Sequence, residues 1–276
     1  MTPDLDPPLR TPDAKFRTPS NLRLRMIASI VMISVAIAGL LMGDIVFWLL
    51  TVVASLVMMA EWGALSGATP RETRMGQFAL SVPLATMAPT WLIIESRPFF
   101  TLGLIAAAIF FMLIVTNKRQ LAAGVAYCAL PVLALVTLRA EPNGLLLALW
   151  ALALVWATDI GAFFAGRTIG GPKLAPKISP AKTWAGLIGG IALAWLLAGA
   201  LWNAEGLPRH LMLATPLLAI LAQGGDLFES AIKRRAGVKD SGTILPGHGG
   251  VLDRLDGLVP VAPVAALLVL LPRLFA

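Results

Sequence analysis

Residues 144–165 read GLLLALWALALVWATDIGAFFA, a run of 22 residues with a single ionisable side chain, Asp159. A helix of that length rises about 33 Å, enough to cross the ~30 Å hydrocarbon core of a bilayer. The run is apolar on every face, as a membrane span is and an amphipathic surface helix is not. Runs of the same kind recur on both sides of it. The sequence predicts spans at 26–42, 45–62, 77–95, 99–116, 121–138, 144–165, 184–203, 211–230 and 251–272. Pro83 and Pro89 in the third and Pro131 in the fifth are tolerated where neighbouring helices re-satisfy the freed carbonyls. The expected fold is all-α, a polytopic membrane helical bundle of about nine transmembrane helices.

Composition agrees. Of 276 residues, 58% are hydrophobic and 13% charged, with a mean hydropathy of +0.81; a soluble domain has about 45–50% apolar and about 25% charged residues. A soluble globular enzyme is excluded, and no polar mass is left over for a separate soluble catalytic domain. Any chemistry therefore sits in the bundle or its loops. The net charge of +7 could suit a nucleic acid, but the distribution of the basic residues argues for topology instead. With nine spans, 18 of the 22 basic residues fall on one side: Arg10, Lys15, Arg17, Arg23, Arg25, Arg71, Arg74, Lys118, Arg119, Arg167, Lys173, Lys177, Lys182, Lys233, Arg234, Arg235, Lys239 and Arg254. By the positive-inside rule the N-terminus is cytoplasmic and the C-terminus outside. No nucleic-acid partner is expected.

Residues 1–25, with Pro7, Pro8, Pro12 and Pro19 among charges, read as a disordered basic cytoplasmic tail and not as a cleaved signal peptide. Residues 26–140 read as N-terminal apolar transmembrane helices. Residues 141–276 read as a C-terminal catalytic region with cytoplasmic loops at 166–183 and 231–250. The one cysteine, Cys128, lies inside an apolar run and reads as a small buried thiol.

Acids at bilayer depth cost about 2.5–3.5 kcal/mol each. Asp159, Asp226, Glu229, Asp253 and Asp256 all lie in or at the ends of apolar runs, a combined penalty on the order of 10 kcal/mol. Such a set calls for a compensating cation. For Glu61, near the end of the second span, an interfacial or structural role is as good a reading as a functional one. Helical spacing puts Asp226, Glu229, Ser230 and Lys233 on one face, and Asp253 and Asp256 on another. Two such faces could converge on a hard divalent cation, and Mg²⁺ suits carboxylate, water and phosphate oxygens. The alternative, that each acid only pairs with a nearby base such as Asp226 with Lys233, leaves the intervening loop unexplained.

That loop, Lys233 to Gly250, reads KRRAGVKDSGTILPGHGG. Its cations, hydroxyls and glycines suit a phosphate cradle, since glycine lets backbone N–H groups approach anionic oxygens. His248 has no second His or Cys at ligand spacing, so a zinc site is not expected. The earlier loop contains Lys173 to Gly186, KLAPKISPAKTWAG. Ser179, Lys182 and Thr183 there are phosphate-binding candidates, with Thr183 near a helix N-terminus. It is neither a Walker A loop nor a dinucleotide fingerprint.

At these two loops the sequence resembles the phosphatidate cytidylyltransferase, or CDP-diacylglycerol synthase, family. Residues Ser230 to Asp256 fit the family's pattern throughout, S-A-I-K-R, four residues, K-D-S-G, two residues, L-P-G-H-G-G-V-L-D-R-L-D, preceded by Gly225-Asp226-Leu227-Phe228-Glu229. The segment Ser179-Pro180-Ala181-Lys182-Thr183 is similar to the family's Ser-Pro-x-Lys-Thr, with Ala181 and Ala185 where a polar or basic residue and a glutamate are common. The resemblance covers about the last 120 residues. It implies that CTP and phosphatidic acid give CDP-diacylglycerol and pyrophosphate with Mg²⁺, at the cytoplasmic face of the cell inner or plasma membrane. It further implies Asp226, Asp253 and Asp256 as metal ligands, with a second cation left open, and Asp226, Asp253, Lys233 and Lys239 as the catalytic set. Ser179, Lys182, Thr183, Arg234, Asp240, His248, Gly249 and Gly250 would bind CTP and phosphate. The lipid bilayer is the standing partner, and a homodimer is compatible. A CTP-dependent polyprenol or phytol kinase would use the same nucleotide but release CDP. A transporter is the weaker alternative, because the chain has no paired inverted halves with matching broken helices.

Overall fold

Apolar length alone builds most of the bundle. The computed structural model describes residues 22–89, 98–245 and 249–274. Its helices are α1 (Leu22–Met42), α2 (Asp44–Leu65), α3 (Pro70–Ala85), α4 (Pro98–Thr116), α5 (Arg119–Ala140), α6 (Gly144–Thr168), α7 (Trp184–Glu205), α8 (Arg209–Arg235), α9 (Leu252–Leu255) and α10 (Leu258–Leu274). The strands are β1 (Lys173–Ala175) and β2 (Ser179–Thr183). Six helices, α2 and α4 to α8, are long and apolar enough to cross a membrane; 26–42 within α1 and 258–272 within α10 are shorter apolar helices. This is an all-α multi-pass membrane protein. The expected tail, as far as residue 21, lies outside the described residues.

Three expected boundaries move, each for a local reason. The third helix starts at Pro70, not residue 77, because Thr69 and Glu72 form a capping box with proline at the first position. It ends at Ala85, and residues 90–95 of the expected span are outside the described residues. The expected ninth span is interrupted: α9 is one turn, and α10 begins only after Asp256 and Gly257. The loop expected at 166–183 contains a short antiparallel hairpin, Lys173 opposite Thr183 and Ala175 opposite Ser179.

The outer surface is apolar, as lipid requires: Phe99, Leu196 and Leu217 are 65–80% exposed. Inside, Trp150, Leu154, Leu211 and Ala262 form one core; Met59, Leu80, Met112 and Val125 form another. Both cores draw on residues before and after 140. The buried residues of α7 are only Gly186, Gly190, Ala194 and Ala198, every fourth position. That stripe of small side chains lets the α6 backbone come close, as in membrane helix pairs generally. Side chain to carbonyl bonds tie α2 to its neighbours: Ser55 to Cys128, Trp62 to Gln120 and Gln77 to Leu56. Cys128 is buried, as expected.

The contacts also sort the loops by end. Lys118 reaches Glu72 and the Gly67 carbonyl, which brings the α2–α3 and α4–α5 turns together. At the other end Arg139 donates to the Leu40 carbonyl. The polar loops after α6 and α8 belong to the first of these ends.

Candidate active site

The hairpin is built to aim one lysine. Trp184 N–H donates to the Pro172 carbonyl at 3.1 Å, closing its base. Thr183 is the N-cap of α7, its hydroxyl oxygen accepting Gly186 N–H at 3.0 Å, and it is buried. Successive strand side chains point to opposite faces, so Lys182 turns the other way, toward α8. Its Nζ lies 2.6 Å from Asp226 Oδ2 and 3.4 Å from the Gln223 carbonyl.

Two clusters line up along α8. In the first, Asp226 Oδ1 accepts from the Ser230 hydroxyl at 3.3 Å, and Gln223 Nε2 donates to Asp159 Oδ1 at 3.4 Å, tying in α6. Asp159, Asp226 and Asp256 lie within electrostatic reach of one another and of Lys182. In the second, Lys233 Nζ lies 3.0 Å from Glu229 Oε1 and 2.5 Å from Asp253 Oδ1. Asp253 Oδ2 accepts from Ser241 N–H (2.8 Å), the Ser241 hydroxyl (2.9 Å) and Gly250 N–H (2.8 Å). Glu229 is fully buried, and its approach to Lys233 is an ion pair without hydrogen-bond alignment.

The environments differ accordingly. Burial alone would raise the Asp253 carboxyl, but Lys233 and the N–H groups of Gly250 and Ser241 outweigh it and hold the group at about 2. Burial, and then the charge of Asp226, push Asp256 well above the usual carboxylate range.

The expected site residues have the following partners. Asp253 and Asp256 both turn toward α8 and within reach of Glu229, the first engaging Lys233 and the loop, the second approaching Asp226 and Asp159. Both oxygens of Asp253 are held by donors, Lys233 on one and Ser241 and Gly250 on the other, which ties the loop to α8. Gly250 N–H is spent on Asp253 and does not face outward to a phosphate, while the Gly249 carbonyl accepts Leu245 N–H. Thr183 is occupied by helix capping. Arg234, in the last turn of α8, reaches the Val238 carbonyl at 3.4 Å; it is exposed, as are Lys239 and Asp240 on the loop. Ser179 is half-buried in β2. His248 lies outside the described residues.

Glu61 is the residue that sequence reasoning left unassigned. It is buried, and it accepts hydrogen bonds from Val251, Leu252 and Ser241. The signal was present: a lone carboxylate within an apolar run, subject to the same burial cost as the other acids.

Fixed positive charge among buried acids, at the end of an apolar bundle, suits the handling of phosphate esters attached to lipid. A model of the cytidylyltransferase family matches residues 23–271. The chain belongs to the cytidylyltransferase family. A phosphatidate cytidylyltransferase of Brucella suis biovar 1 (strain 1330) is 41% identical over 266 residues, 93% of this chain and 95% of that protein. One of Rickettsia bellii (strain RML369-C) is 31% identical over 263 residues, 91% and 92% of the two chains. One of Bacillus subtilis (strain 168) is 47% identical over 126 residues, 45% of this chain. The cytidylyltransferase match takes in both polar loops and also Glu61 of α2.

Proposed function

We propose that this chain transfers the cytidylyl group of CTP to phosphatidate, forming CDP-diacylglycerol and releasing pyrophosphate. The carrying observation is that the two polar loops meet on one helix: Lys182 from the hairpin on Asp226 of α8, and Lys233 of α8 on Asp253 beyond the second loop. A phosphatidate oxygen attacks the α-phosphorus of CTP, a P–O bond forms, and the bond to the bridging oxygen of the β-phosphate breaks with pyrophosphate leaving. The attacking phosphate is already anionic, so no general base is required. The work is positioning and neutralisation of charge. Lys182 and Lys233 supply fixed cations for the triphosphate, and Arg234 and Lys239 supply exposed ones for the departing pyrophosphate.

Among the described residues no three acids enclose a cation as they stand. The carboxylates of Asp226, Asp256 and Asp159, which share Lys182, nevertheless make a donor set that fits a hard cation. Mg²⁺ held by Asp226 and Asp256 would neutralise phosphate oxygens and the leaving group.

The test uses purified chain with CTP labelled in either the α- or the γ-phosphate. The α-label is expected in lipid and the γ-label in pyrophosphate, in equal amounts, with no product when phosphatidate or Mg²⁺ is omitted. The γ-label in lipid with release of CDP would replace this reading by the kinase one.

The proposed setting is the cell membrane, with this end of the bundle cytoplasmic. A reporter inserted in the loop between α8 and α9 is expected to read as cytoplasmic, and one fused after Ala276 as external. A cytoplasmic signal after Ala276 would overturn the nine-span topology.

A further inference from the structure

Glu61 stands four residues before the end of α2, in the half of the chain that carries none of the loop motifs. It is 4% exposed. Its Oε1 accepts Val251 N–H at 2.9 Å and its Oε2 accepts Leu252 N–H at 2.8 Å, partners 190 and 191 residues away. Those N–H groups open α9, where a helix leaves donors without internal partners. The Ser241 hydroxyl lies 3.0 Å from Glu61 Oε2 and 2.9 Å from Asp253 Oδ2, one proton between two carboxylates. Room for this arrangement depends on missing side chains. A Cβ at Gly242 would fall 2.7 Å from Glu61 Oε1, and one at Gly250 would fall 2.5 Å from Oε2.

We propose that Glu61 is a positioning residue for cytidylyl transfer. From α2 it fixes the start of α9 and Ser241, and through them the aim of Asp253 at Lys233. The inference rests on the reading of the Lys233–Asp253 pair as part of the working site. Each hydrogen bond described for Glu61 goes to the 241–252 segment, so losing the carboxylate strands three donors of that segment. The carboxylate supplies two acceptors for three donors, and an amide does not, since its NH₂ would face an N–H.

Glu61→Gln is the test, read by kinetics and by amide hydrogen exchange of peptides spanning 241–252. The expected result is a kcat about 10- to 100-fold lower with KM for CTP within about threefold, the loss of charge-assisted hydrogen bonds acting on the aim of Asp253 and not on substrate binding. Exchange of 241–252 should quicken while α5 and α6 stay protected, and Glu61→Asp should recover part of kcat. Wild-type kcat in Glu61→Gln overturns the proposal whether or not exchange changes. So does a uniform loss of protection with kcat per folded enzyme unchanged. Where Glu61→Gln does not fold, Ser241→Ala reads the same link: a lower kcat with faster exchange of 241–252 supports it, and no change in either overturns it. Absence of CDP-diacylglycerol from the wild-type protein would instead fail the proposed activity, and the exchange measurement would still report whether Glu61 holds the loop.

Discussion

Asp253→Asn is expected to leave the protein folded and to lower CDP-diacylglycerol formation by about 100-fold or more. The side chain it replaces is engaged on both oxygens, by Lys233 Nζ at 2.5 Å on one and by three donors on the other. An amide fits neither orientation, because its NH₂ would face either an ammonium or a set of N–H and O–H donors. Breaking a buried charge pair costs about 3–5 kcal/mol, and each 1.36 kcal/mol is about tenfold in rate if it falls on the transition state. Lys233 keeps Glu229 as a partner at 3.0 Å, which limits the share of that cost borne by folding. Turnover per monodisperse enzyme, with the thermal midpoint in detergent, separates the two. Near-wild-type turnover would remove Asp253 from the working site, and a collapsed midpoint would make it a structural residue.

What could be read in advance followed from additive quantities. Apolar length places a span wherever ~20 residues lack charge, and α6 and α7 lie close to where that rule puts them. The cost of burying an acid is equally local, so Asp226, Asp253 and Asp256 stood out from the sequence. Where a side chain points is not additive. Asp253 and Asp256 stand one helical turn apart, yet the first engages Lys233 while the second approaches Asp226 and Asp159. Thr183 looks the same in the sequence whether it holds a phosphate or caps α7. Glu61 owes its role to partners 190 residues away, beyond any window of periodicity. The start of α3 was legible but masked: Thr69, Pro70 and Glu72 spell a capping box, in a first turn too polar for an apolar-run search to include.

The second large effect concerns the opposite cluster. Lys182→Met is expected to lower kcat/KM for CTP by about 100-fold or more, on the scale of removing one fixed donor from a water-poor site. Methionine keeps much of the length and apolar stem of lysine but removes the charge that lies 2.6 Å from Asp226. Arginine should recover little, because the lysine side chain is only 15% exposed and a planar guanidinium needs more room. A loss of turnover would also follow if Lys182 merely offset the charge of Asp226, so the single variant does not separate the two roles. The double variant Lys182→Met, Asp226→Asn does. If the pair existed only for mutual neutralisation, removing both charges would restore most of the activity, as replacing a whole buried pair is often nearly neutral. The expected result is no restoration, because each partner is assigned a separate task in the same step, the lysine on the triphosphate and the aspartate on the cation. Restored turnover would move the pair from the reaction to the scaffold, and would leave Lys233 as the principal buried cation of the site.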